Sequence, residues 1–165
     1  MTPSERSKRS PASWHLREKS SAFLLAEEAA FHCLSKRAEE VVVLDLRGKS
    51  DVCDFFVICT GQTDVQVKAI IGAVRDGLAE GGHSLLHAEG VGEGRWGLLD
   101  YVDVVVHVFQ PRTRQYYLLE RLWSDAPRLE ITDAHFTTEV VRRRQPRLAD
   151  QTRRPAAKPT GSNTP

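Results

Sequence analysis

The sequence predicts an α/β fold, a mixed β-sheet packed with α-helices, and three observations carry that prediction. Val104 to Phe109 is a run of β-branched and aromatic residues, apolar on both faces, which marks a strand covered on both sides. Two other stretches repeat their apolar residues at helical spacing. The elements alternate in the order α-β-β-α-β-β-α, which a mixed sheet with packed helices accommodates.

Leu25, Ala26, Ala29, Ala30, Cys33 and Leu34 recur at helical spacing, so residues 23–38 read as an amphipathic helix. Val41 to Arg47 reads as a strand that Gly48-Lys49-Ser50-Asp51 breaks. Asp54 to Thr60 is the next strand. After Gly61, Thr63-x-x-Gln66 is a capping-box pattern. Val67, Ile70, Ile71, Val74 and Leu78 mark one face of the helix it opens, and Gly81-Gly82 stops that helix. A Gly-rich loop leads to a short strand, Trp96 to Tyr101, with Trp96, Leu98 and Asp100 on one face and Leu99 and Tyr101 on the other. Val102-Asp103 leaves room only for a tight connection, so this strand and Val104–Phe109 form a hairpin. Pro111 suits a helix start, and Tyr116, Leu119, Leu122 and Trp123 stripe the helix to about Ser124. Pro127 ends it, and Leu129 to Ile131 reads as a short edge strand.

The 165 residues are 41% hydrophobic, enough for one domain with a real core, which the pattern places at residues 23–131. No apolar run approaches the roughly 20 residues that a membrane helix needs. Residues 1–22 read as a disordered tail, where Glu5 and Glu18 argue against a transit peptide, and residues 132–165 as a flexible basic tail. Cys33, Cys53 and Cys59 show no CxxC spacing and read as buried thiols of a reducing compartment.

The net charge of +1 hides a division. Residues 1–22 carry five Lys/Arg against two acids, and residues 142–165 carry seven against one. The middle holds 11 basic and 19 acidic side chains, a balance of −8. Such a domain is poorly suited to direct docking on phosphate backbone and better suited to a basic protein.

The single motifs exclude more than they support. Gly48-Lys49-Ser50 lacks the earlier glycine of a P-loop, because position 43 is Val43, and reads as a tight turn. Gly90-x-Gly92-x-Gly94 does not run from a strand into a helix and reads as a loop. His83, His87 and Glu89 follow the glycines that end a helix and need not share a face, so they make a weak metal set. His107 alternates with valines and reads as a core histidine with a partner. Asp45, Asp51, Asp54, Asp100 and Asp103 lie near strand ends. Asp100 and Asp103 are three apart and straddle a turn, so they are not expected to point to one face, as carboxylates that hold two metal ions must. No catalytic residue, metal or cofactor is expected. Trp96, Asp100 and Tyr101 read instead as part of a binding surface.

With those residues in view, the chain resembles the ribosomal silencing factor family, also called iojap. The resemblance rests on VVLDLRGKSDVCDFFVICTG, TDVQVKAIIGAV, GRWGLLDYVDVVVHVF and RQYYLLERLW, in that order, over about residues 23–126. The chain departs from many relatives at Val102, where they carry Gly. The resemblance implies a nucleotidyltransferase-like fold without catalytic acids. It implies binding to large-subunit ribosomal protein fourteen on the intersubunit face, which hinders subunit joining and lowers translation under nutrient limitation. Organellar relatives assist large-subunit assembly, which is the alternative role; a nucleotidyltransferase-like enzyme is the alternative of a different class. The contact residues carried over are Trp96, Leu98, Asp100, Tyr101 and Asp103. The basic tails add a nonspecific contact with ribosomal RNA in this reading. A cytoplasmic location is expected, with mitochondrion or plastid as the alternatives. The oligomeric state stays open, a homodimer of the free protein being one option.

Overall fold

The computed structural model describes residues 20–136. The predicted tails, residues 1–22 and 132–165, therefore lie almost entirely outside the described residues. The chain divides after Asp133 into two compact units; of the second, residues 134–136 complete a 3-10 turn, Asp133–Phe136.

The described part of the first unit opens with helix α1 (Ser21–Ser35), two residues earlier than its apolar pattern begins. The reason is its cap: the Ser20 hydroxyl accepts from Phe23 N at 3.1 Å, satisfying one of the otherwise unpaired first-turn amides. Strand β1 (Glu39–Asp45) follows, then β2 (Phe55–Thr60). Their connection is the predicted turn: Lys49 N and Ser50 N both donate to Leu46 O, with Gly48 at φ 73°. Helix α2 (Asp64–Glu80) is capped by Thr63, whose side chain accepts from Gln66 N at 3.1 Å. The return bond differs from the expected box. Gln66 Oε1 accepts from Gln62 N at 2.7 Å, and Gln66 Nε2 reaches Lys36 O and Arg37 O. One side chain thus caps α2 and ties it to the end of α1.

The rest of the unit is β3 (His87–Glu89), β4 (Trp96–Asp100), β5 (Val104–Phe109), α3 (Pro111–Tyr117), a single turn α4 (Leu119–Leu122) and β6 (Arg128–Glu130). The six strands form one sheet in the order β3-β4-β5-β2-β1-β6. Only the central β2–β5 pair is parallel; β4–β5 is the predicted antiparallel hairpin. All six residues of β5 are buried, as its two apolar faces require. Helices α1 and α2 cover one face. The other face carries Val42, Leu44, Ile58, Val105 and Phe109, against which Leu119 and Trp123 pack.

Two expectations fail here. The stretch before β4 is not all loop, because β3 pairs with β4. The helix after Pro111 is not continuous. It breaks at Leu118, which takes a left-handed conformation at φ 49°, and the stripe parts: Leu119 and Trp123 reach the core, while Tyr116 and Leu122 are 80% and 72% exposed. The break lets Arg114 meet Glu120 through Nε at 3.0 Å and Nη2 at 2.7 Å. In an unbroken helix two residues six apart point roughly 120° apart, and no such pairing forms. The Arg114 guanidinium is buried and also donates to Thr60 Oγ1 and Glu40 O, fastening α3 to β2 and to the irregular start of β1.

Candidate docking face

Strand β4 is the hinge between core and surface, because its two faces meet different things. Gly97 and Leu99 are buried toward α2; any side chain at Gly97 would overlap Ile71. Trp96, Leu98 and Asp100 point the other way and are half-buried. On that side the sheet edge is only β3, whose His87 and Glu89 stand opposite Asp100 and Leu98. Tyr101 continues the inward alternation and is 5% exposed, so it belongs to the core and not to the open face. Of the five residues carried over as contacts, Trp96, Leu98 and Asp100 share one side of β4, and Asp103 is exposed in the turn that follows.

Trp96 is both anchor and surface. Its indole stacks on Phe109 at 5.1 Å and on His107 at 6.0 Å, and Tyr117 leans on it at 4.4 Å. Trp96 Nε1 donates to His107 Nδ1 at 3.2 Å. That bond leaves the proton of neutral His107 on Nε2, which has no hydrogen-bond partner among the described residues. Burial pushes His107 down to about 4, so the ring is neutral and accepts from Trp96 at ordinary pH. The core histidine expected from the valine alternation therefore has its partner, and that partner is Trp96.

The far end of β4 is acidic. Asp100 Oδ1 accepts from Val102 N at 2.8 Å and shapes the turn to β5. Val102 is at φ 73°, inside a three-residue turn closed by Asp103 N donating to Tyr101 O. Asp54 N and Phe55 N both donate to Asp103 O, which binds the β1–β2 loop to this turn. Asp54, Asp100 and Asp103 thus gather around Cys53, whose thiol is pushed up to about 11 by burial first and by the three carboxylates next. Val102 and Val52 stand exposed among them. This end of the sheet offers apolar tips rimmed by carboxylates.

At the Trp96 end a groove of about 570 Å³ runs between the β3–β4 connection and α3; its walls include Glu93, Arg95, Trp96, Arg112, Tyr116 and Tyr117. Sequence reading missed the α3 wall. The predicted stripe holds Tyr116 and leaves Tyr117 unassigned, whereas both are exposed on this wall.

The remaining candidates fall elsewhere. Asp45 is fully buried and paired with Arg47 through Nε and Nη2. His83 lies 3.4 Å from Glu28, and His87 pairs with Glu89 at 2.9 Å, so the suggested metal set is not brought together. Among the described residues no group of three His, Cys, Asp or Glu is placed to hold a metal. All three cysteines are free and buried. Among the described residues no helix is long and apolar enough to cross a membrane.

Residues 18–160 match the family model described as ribosomal silencing factor during starvation. The chain belongs to the ribosomal silencing factor family. It is 48% identical over 103 residues to a ribosomal silencing factor of Bacillus subtilis, covering 62% of this chain and 87% of that one. It is 33% identical over 106 residues to the chloroplastic protein Iojap of Zea mays, covering 59% of this chain and 45% of that one. A crystal structure of a Chromobacterium violaceum protein superposes with a TM-score of 0.62 at 30% identity, over 64% of this chain and 88% of the other. A Bacillus halodurans structure superposes at 0.58 with 41% identity, over 65% and 97%. In this member of the family the fold is the mixed six-stranded sheet described above, with β4 next to the β3 edge.

Proposed function

We propose that this ribosomal silencing factor docks on the large ribosomal subunit through large-subunit ribosomal protein fourteen, on the intersubunit face. It represses translation under nutrient limitation by occupying space that the small subunit needs. Family membership supports the reading. The observation that carries it is the open side of β4 and its turn, where Trp96 and Leu98 supply apolar area and Asp100 and Asp103 supply charge for a basic partner. The action is steric and contains no catalytic step. The basic ends of the chain add nonspecific contact with ribosomal RNA.

The test is sedimentation of the protein with purified large and small subunits separately, followed by light scattering as the subunits join. Binding to large subunits alone, with joining slowed, is the expected result. Equal binding to both subunits, or normal joining at saturation, would contradict it.

A further inference from the structure

We propose that the docking face continues past the β4–β5 turn onto two neighbouring loops, where Val52 and Leu86 receive an apolar side chain that Lys or Arg flanks on the ribosomal protein. The proposal rests on the large-subunit reading above and names further contact residues for it.

The first observation is apolar. Three loops meet at the turn end of β4, and each exposes one apolar side chain. Val52 on the β1–β2 loop is 80% exposed, Leu86 before β3 is 66% exposed, and Val102 in the β4–β5 turn is 54% exposed. Backbone hydrogen bonds join the three loops. Asp54 N and Phe55 N donate to Asp103 O at 2.8 Å and 3.0 Å, and Leu86 N donates to Asp100 O at 2.8 Å. The β1–β2 loop is also fixed from within, because Val52 N donates to Ser50 Oγ at 3.1 Å. Single exposed apolar residues are ordinary, but three on loops bonded to one another favour a protein contact. Loops already held in place lose little freedom when they bind.

The second observation is charge. Asp51 and Asp103 are exposed beside these tips, and Asp54 and Asp100 are half-buried. None of the four is in an ion pair among the described residues. The basic groups of the same elements have other partners. Arg47 lies near Asp54, but its guanidinium is bonded to Asp45 through Nε and Nη2. Lys49 pairs with Asp125 at 2.8 Å, and His87, opposite Asp100 in the β3–β4 pair, is bonded to Glu89 at 2.9 Å. Apolar tips ringed by unpaired carboxylates fit an apolar side chain flanked by Lys or Arg. Phosphate would be repelled here, and a second copy of this chain would bring the same negative charge to an isologous contact.

The third observation is continuity. Asp100 lies on the open side of β4 and also holds Leu86 through its carbonyl, while Asp103 holds the β1–β2 loop through its own. A partner seated on Trp96, Leu98 and Asp100 therefore meets these loops without a gap in the chain of contacts.

The experiment measures binding of Val52→Ser, Leu86→Ser and Asp51→Lys to purified large subunits and to isolated large-subunit ribosomal protein fourteen. Melting should stay within a degree or two of wild type, since all three side chains are exposed. Each Ser variant should weaken binding about fivefold or more by removing apolar area. Asp51→Lys should weaken it about tenfold. The losses should be the same against subunits and against the isolated protein. Val65→Ser, at a 71% exposed position on α2, should bind within about twofold of wild type. Wild-type affinity in the three loop variants, with Asp103→Lys weakened, overturns this proposal alone. So does a loss against subunits that the isolated protein does not show, or an equal loss in Val65→Ser. A changed oligomeric state in sedimentation equilibrium, with affinity unchanged, assigns the loops to a second copy and overturns it too. Wild type that sediments with neither subunit overturns the preceding reading, and this one with it.

Discussion

Val102 is β-branched and held at φ 73°, a conformation that costs an L-residue roughly 1–2 kcal/mol. It is 54% exposed, so replacing it removes little burial. Val102→Gly should therefore raise stability by about 0.5–1 kcal/mol, after the entropy of the added glycine is counted. Urea unfolding measures this, and a lower midpoint in the variant would contradict it. His107 gives a second prediction at this scale. The unfolded chain binds its proton near 6.5, whereas the fold holds the ring at about 4. The folded value is lowered, so stability falls as pH drops from about 6.5 towards 4 and this contribution levels off below. The loss is on the order of 3 kcal/mol. His107→Gln keeps an acceptor for Trp96 Nε1 and removes the titration. Its unfolding free energy should fall less than that of wild type between pH 7 and pH 4.5. Equal slopes would contradict the assignment. A core histidine was legible from valine alternation alone. Its pairing with Trp96 was not, because cross-strand register depends on the turn, and the turn depends on a strained Val102.

The α3–α4 break is the element where pattern and fold part most. Tyr116, Leu119, Leu122 and Trp123 satisfy a helical period, yet only Leu119 and Trp123 reach the core. What overrides the period is Arg114, buried among Thr60, the Glu40 carbonyl and Glu120. A lone arginine in a sequence gives no sign of burial, so the break was not legible. Glu120 also accepts from Arg128 at 2.8 Å and so links the break to β6. Arg114, and then Arg128, hold the Glu120 carboxyl below its usual range. A lowered carboxylate contributes stability that is present above its ordinary value and lost as pH falls through the lowered one. Glu120→Gln should thus cost about 2 kcal/mol at pH 7, the worth of a charged hydrogen-bond pair with partial compensation. The gap from wild type should narrow as pH falls through the lowered carboxylate range. A variant as stable as wild type at pH 7 would show that the break holds without the pair. Strand β3 was missed for a simpler reason. Its three residues are too short for an alternation to register, and the Gly90 that ends it suggests a loop, although Gly90 is there to let the backbone pass Trp96 O.

At the scale of the whole molecule, the sheet order was set by few signals. The doubly apolar β5 placed itself at the centre, and the tight turn placed β4 beside it. The acidic middle of the sequence was legible as a preference for a basic partner. That its carboxylates Asp54, Asp100 and Asp103 converge on one end of β4 required the folded loops. The same folding makes Trp96 a poor sole probe of docking. Its indole is packed on Phe109 and bonded to His107, so Trp96→Ala should lower stability by about 2–4 kcal/mol whether or not it touches a partner. Asp100 is compromised too, through its bond to Val102 N. Asp103 is exposed, and the hydrogen bonds of its residue run through its backbone. The direct measurement is therefore the affinity of Asp103→Lys for purified large subunits, taken with its melting temperature. A steric silencer docked by this face predicts binding weakened about tenfold or more, with melting within a degree or two of wild type. Undiminished binding by a normally folded Asp103→Lys protein would contradict it.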